Sequence, residues 1–261
     1  MDPPEGFERF VFVPSPPVGG VRDCISVYST GRAGRPGVIV LHEAGGMSAH
    51  CLRLARELAD EDPSFQVFLP LLFGKPGQNT AVGFDVRGLW CIRKEMRYFA
   101  SDLTSPLTGL IRQLVGEVAT RTNNQSVGVI GMCLTGNMVF ALMADAKVGA
   151  AVASQPALPL LVANRWLAWL SPRRKKRALG VAPEDLAASV RSGSPLLALR
   201  FAGDLACPAE RFASLAVAFG TSGALRQEVL PGKGHSVLTV HRTPENDMVS
   251  TVREFLHRYL G

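Results

Sequence analysis

Four side chains stand where apolar runs break into glycine-bearing turns. They are Glu43 in "LHEAGG", Cys133 in "GMCLTG", Asp204 in "FAGDLACP" and His235 in "LPGKGHSV". Thiol, imidazole and carboxylate are the groups of nucleophilic acyl transfer. A thiol attacks effectively only as its thiolate, and the unpaired backbone N–H groups at a helix start favour that charge. An imidazole beside the sulfur stabilises the thiolate as an ion pair and later activates the water that cleaves a thioester. A carboxylate on the far ring nitrogen fixes the tautomer. Cys133 therefore reads as nucleophile, His235 as base and Asp204 as the group that orients it. The plainer alternatives are a core cysteine, a surface histidine and, for Asp204, a helix N-cap ahead of Pro208. Glu43 reads either as a solvated loop carboxylate or as a group touching Cys133 that holds or accepts its proton.

These groups need a scaffold that brings distant chain segments together. The runs "FERFVFV", "CISVYST", "GVIVLH", "FQVFLPLLF", "SVGVIGM", "GAAVASQ", "PLLALRFAG" and "LRQEVLP" read as strands. Between or after them, "SAHCLRLARELADE", "LTGLIRQLVGEVATR", "LTGNMVFALMADA", "PAERFASLAVAF" and "DMVSTVREFLHRYL" carry helical apolar spacing. Apolar strands alternating with amphipathic helices predict an α/β fold with a mostly parallel sheet covered on both faces. In such sheets functional groups gather beyond the carboxyl ends of the strands. Nucleophile, acid and histidine follow one another in the chain order of an α/β-hydrolase triad. Gly131 lets the strand turn sharply before Cys133, and Gly136 lets the next helix pack close.

Composition narrows the alternatives. The chain has 261 residues, 47% apolar and 19% charged, which suits one α/β domain spanning 1–261 with a sizeable core. No repeat or low-complexity linker divides it. Residues 158–194 are expected to be irregular, and a small cap or insertion is expected around 157–194. There Trp166 and Trp169 either line a substrate cavity or pack on the core. Five scattered cysteines without a CxxC pair argue against a disulfide framework and against structural zinc. His42, Glu43 and His50 lack the i, i+4 histidine spacing of a zinc helix. No metal and no cofactor is expected. The net charge of +6 owes much to the run Arg173–Arg177, which lacks aromatic interleaving and reads as a solvated surface segment rather than a nucleic-acid site. No membrane-length apolar run and no signal peptide is evident, so a cytoplasmic protein is expected, a monomer or weak homodimer.

The pieces "VIVLHEAGG", "GMCLTG", "AGDLACP" and "GKGHS" resemble, in order and approximate spacing, the dienelactone hydrolase family of α/β-hydrolases. The resemblance runs from about residue 37 to the C-terminal helix. It implies a Cys133–Asp204–His235 triad, with Glu43 contacting the resting thiol and displaced by substrate to take its proton. It also implies an oxyanion hole from the backbone N–H groups of Leu134 and Ala44, and a lactone or small ester as substrate. Two positions depart from the family pattern. Thr135 stands where the family has glycine. Thr239 stands where the family has a carboxylate-binding arginine, the nearest here being Arg242. Arg87, Arg93, Arg97 and Trp166 are the other candidate substrate contacts. A thioesterase or lactone-modifying enzyme of secondary metabolism, and a non-catalytic ligand-binding or interaction protein, are the competing readings.

Overall fold

A computed structural model describes residues 2–21, 23–72, 74–77, 103–123, 126–157, 176–220 and 222–261. In chain order the elements are β1 (Glu8–Phe12), β2 (Ile25–Thr30), β3 (Gly37–Leu41), α1 (Ala49–Asp60), β4 (Gln66–Pro70), α2 (Pro106–Arg121) and β5 (Val127–Met132). There follow α3 (Gly136–Leu142), β6 (Val148–Ser154), α4 (Pro183–Ser192), β7 (Leu196–Phe201), α5 (Ala209–Phe219), β8 (Leu225–Leu230) and α6 (Val249–Leu260). The strands form one sheet in the order β1-β2-β4-β3-β5-β6-β7-β8. β1, β2 and β4 pair antiparallel, and every pairing from β4 through β8 is parallel.

The two-residue period of the strands sorts their apolar side chains onto two faces. Ile39, Leu41, Val127 and Val129 join one core with Leu110, Ile111, Leu114 and Val118 of α2, Val139 of α3 and Leu215 of α5. Val38, Val40, Ile130 and Met132 join the other with Leu54 and Leu58 of α1 and Val252 and Leu256 of α6. Strands buried on both faces are continuously apolar, as β3 and β5 are in sequence.

Local chemistry sets the helix ends. The Ser48 hydroxyl accepts the Cys51 N–H at the start of α1, and Ser105 with Pro106 opens α2. The segment read as wholly irregular contains α4, whose signals were present in sequence. Pro183 stands at its first turn, Glu184 and Asp185 follow, and Gly193 ends it in the left-handed conformation at φ +71°. The third helix stops at Leu142, short of the apolar pattern, because Asp145 turns the chain back by accepting the N–H groups of Lys147 and Val148. Among the described residues no helix is long and apolar enough to cross a membrane.

Candidate active site

Strands β3 and β5 are neighbours, with Leu41 paired to Gly131. Two residues past Gly131, Cys133 has φ +58°, left-handed backbone that an L residue adopts only at a cost of about 1–2 kcal/mol. Several contacts hold it there. The Cys133 carbonyl accepts the N–H groups of Gly136 and Ala157. Asn137, fully buried, donates its amide to the carbonyls of Leu134 and Ala157. The turn also requires its glycines. A Cβ on Gly131 would lie 2.5 Å from the Thr135 carbonyl oxygen and from Val139 Cγ2. One on Gly136 would press on Pro156 and the Ser154 carbonyl. The result raises a half-buried thiol between a strand end and a helix start.

Thr135, the residue in place of a family glycine, is buried and joins the two strand ends. Its hydroxyl oxygen lies 3.0 Å from the Leu41 carbonyl, 3.1 Å from that of His42 and 2.9 Å from that of Met132, and it accepts the Met132 N–H at 3.0 Å. One hydroxyl has a single proton to share among those carbonyls. The side chain finds room not by pushing the elbow away but by bonding to β3. His42 ties the same strand end to the segment after β4. Its Nε2 accepts the Leu72 N–H, so Nδ1 carries the proton and donates to the Glu43 carbonyl at 2.8 Å. Burial pushes this histidine down to about 4 against the opposing bond to Glu43, which keeps it neutral. Ala44 and Leu134, whose N–H groups were expected to hold an oxyanion, each lie three residues beyond the paired Leu41 and Gly131.

Asp204 follows β7 and is buried. Its Oδ1 accepts the N–H groups of Ala206 and Cys207, and its Oδ2 lies 2.7 Å from His235 Nδ1. Burial alone would raise this carboxyl, but its bonds with His235 and the two backbone N–H groups hold it below the usual range. Two buried arginines brace the loop. Arg200 donates to the carbonyls of Ala202 and Cys207, and Arg211 to those of Ala206, Pro156 and Ala178. Cys207, beneath the loop, is pushed up to about 12, chiefly by burial, and is a packing thiol.

His235 follows β8, its ring between Asp204 and Cys133. Burial works against its charge, yet the hydrogen bond to Asp204 and the bond and charge of Cys133 prevail and raise it to about 10. Cys133, His235 and Asp204 are thus brought together from three strand ends. Glu43 reaches the same place, but its bonds run elsewhere. Gln155 Nε2 and Thr239 Oγ1 donate to its Oε1, each at 3.0 Å, and Ser236 Oγ donates to its Oε2 at 3.1 Å. Among the described residues its carboxylate makes no hydrogen bond to Cys133; its bonds go to this cradle. Gln155, the residue after β6, was missed in sequence. It carried the same signal as the other four groups, a polar residue at the end of an apolar strand. Arg242 is committed elsewhere, paired with Glu57 and with Asp247. Arg87, Arg93, Arg97 and Trp166 lie outside the described residues.

A polar cleft lined by Arg32, Arg35, Asp60 and Asp62 opens at the opposite end of the sheet, where β2 ends and β3 begins. It shares no residue with the Cys133 site.

The sequence model of the dienelactone hydrolase family matches residues 25–253. The chain belongs to the dienelactone hydrolase family. Its α/β-hydrolase fold is shared with solved structures of low sequence identity. An inferred dienelactone hydrolase from Klebsiella pneumoniae superposes with a TM-score of 0.64 at 17% identity, covering 97% of this chain and 99% of that one. A Pyrococcus furiosus esterase gives 0.63 at 15% identity over 98% and 93%. A dienelactone hydrolase-like promiscuous phosphotriesterase from metagenomic libraries gives 0.64 at 15% over 98% of both chains. None of the curated proteins matches the chain. Against the dienelactone hydrolase pattern, Thr135 and Thr239 are the departures to explain, and both are buried and hydrogen-bonded.

Proposed function

We propose that this chain hydrolyses a lactone or small carboxylic ester through a covalent thioester on Cys133. The observation that carries the reading is the left-handed Cys133 elbow facing a His235 ring whose other nitrogen meets Asp204 at 2.7 Å. His235 takes the Cys133 proton as general base, and the thiolate attacks the carbonyl carbon. The resulting oxyanion is held by the Leu134 and Ala44 N–H groups. As the intermediate collapses, the C–O bond breaks and the leaving alkoxide takes the His235 proton. With a lactone it stays tethered as the hydroxyl of the ring-opened acid. Neutral His235 then removes a proton from water, hydroxide adds to the thioester, and the thiolate leaves as the acid is released. Asp204 keeps the ring in the tautomer that presents Nε2 to both reactions.

The turn after His235 spends Thr239 on Glu43 and Arg242 on Glu57 and Asp247. A carboxylate clamp at this position is therefore unsupported, which favours the broader class of lactones and small esters over a carboxylated dienelactone.

The test is hydrolysis of 4-nitrophenyl acetate and of an enol-lactone by the wild type and Cys133→Ala. Turnover by the folded variant is expected to fall by about a thousandfold or more, and acid-quenched wild type should carry an acyl group on the Cys133 peptide by mass spectrometry. Undiminished turnover in Cys133→Ala overturns the mechanism.

A further inference from the structure

β8 is the last strand of the sheet, with β7 as its neighbour on one side. The Leu196 and Ala202 N–H groups donate to the carbonyls of Ala224 and Leu230, so the even-numbered residues of β8 turn their backbone groups toward β7. Leu225, Gln227 and Val229 turn theirs outward, and among the described residues no strand receives them. Such an edge is a template for another strand. Its side chains, "LRQEV" over residues 225–229, are self-complementary about Gln227. Two copies paired antiparallel around a two-fold axis there set 225 opposite 229, 226 opposite 228 and 227 opposite itself. The outward backbone groups make 225/229 and 227/227 the hydrogen-bonded pairs. Arg226 and Glu228 then take the non-hydrogen-bonded positions, where facing side chains come closest.

We propose that β8 is a docking edge for a second copy of this chain, joined antiparallel about Gln227 into one continuous sheet. Charge complementarity carries the choice of partner. Within one copy Arg226 Nε donates to Glu228 Oε1 at 2.8 Å on one face of the strand. A second copy closes that pair into a ring of four charges of alternating sign. Each copy has a net charge of +6, which opposes unspecific association and leaves orientation to the ring. On the other face Leu225 meets Val229, 52% exposed in the single chain. The Gln227 side chain is directed to α5, its Nε2 donating to the Phe212 carbonyl at 2.8 Å. β1, at the far edge, has no such match, since a two-fold at Phe10 sets Glu8 against Phe12 and Arg9 against Val11. A contact of β1 with β8 would be heterologous and open-ended, whereas β8 with β8 closes at two subunits. The strand that leads to His235 is then held on both sides. One strand pair is small against the ~1,200–2,000 Å² of a stable complex, so a dimer of micromolar affinity is expected.

Sedimentation velocity of the full chain from about 1 to 300 µM reads the assembly. The samples are wild type, Arg226→Glu, Glu228→Arg, the two single variants mixed, and the double variant Arg226→Glu/Glu228→Arg. Wild type is expected to pass from monomer to dimer across this range. Each single variant sets like charges opposite one another at both cross-strand positions and should weaken the dimer by about tenfold or more. Mixing the singles pairs an acidic edge with a basic one and should restore a heterodimer. The double variant restores the alternation and should dimerise as wild type does. Far-ultraviolet circular dichroism checks that each variant is folded; should one single variant misfold, the other single and the double variant still decide. A wild type that stays monomeric throughout overturns the proposal. So does a dimer that both single reversals leave intact, or one that they abolish and neither the mixture nor the double variant recovers.

Discussion

His235 Nδ1 and Asp204 Oδ2 meet at 2.7 Å across the carboxyl ends of β7 and β8, with the carboxylate almost wholly enclosed. Burial disfavours charge on the ring, but Asp204 and Cys133 outweigh it and lift the imidazole from 6.5 to about 10. A histidine raised on folding stabilises fully below its unfolded value and loses that contribution as pH climbs through the folded one. The stability gap between wild type and His235→Asn should therefore be widest near or below 6.5 and should close between 6.5 and about 10. Urea midpoints measured across that window check the sign; a gap that widens with pH contradicts it.

Thr135→Val keeps the shape of the side chain and removes the hydroxyl that serves Met132 N–H and the carbonyls of Leu41, His42 and Met132. A loss of about 1–3 kcal/mol is expected from the buried groups left short of a partner. Because the same hydroxyl joins the β3 end to the elbow, ester turnover should fall with it. Thermal melts and kcat/KM measured together test the coupling, and a stable variant with normal turnover would show that the bridge is dispensable.

Gly131→Ala should be among the most damaging single-methyl changes in the chain. The new Cβ meets the Thr135 carbonyl and Val139 Cγ2 at 2.5 Å, and the nearest of these is backbone that cannot rotate away. Destabilisation of about 1–3 kcal/mol or more is expected. Chemical denaturation provides the measurement, and near-wild-type stability would mean that the elbow relaxes freely.

Arg211→Met removes a fully buried guanidinium that donates to the carbonyls of Ala178, Pro156 and Ala206. Stranding these acceptors should cost about 2–3 kcal/mol at least. The acid loop should loosen locally, so hydrogen exchange at the Ala206 and Cys207 amides, which donate to Asp204, should quicken more than exchange in β5. Equal protection in variant and wild type would refute this role for Arg211.

The sequence by itself determined the alternation of strands and helices, because the two-residue and 3.6-residue periods are local properties of the chain. It also located Cys133, Asp204 and His235, since each stands at a visible break between an apolar run and a turn. The helix at Pro183–Ser192 was equally legible, through Pro183, the acidic first turn and Gly193, although an irregular segment was expected there. Tertiary structure decided what these residues touch. Residues 43, 155, 236 and 239 are distant in sequence, and only the order in which parallel strands lie side by side makes the Glu43 carboxylate the meeting point of Gln155, Ser236 and Thr239. The same holds for Thr135. As a sequence feature it was a β-branched residue in place of glycine; packed beside β3, its hydroxyl became the link between two strand ends. Hydrogen bonds between side chains on different strands depend on register and sheet order, and neither is written in any local stretch of the chain.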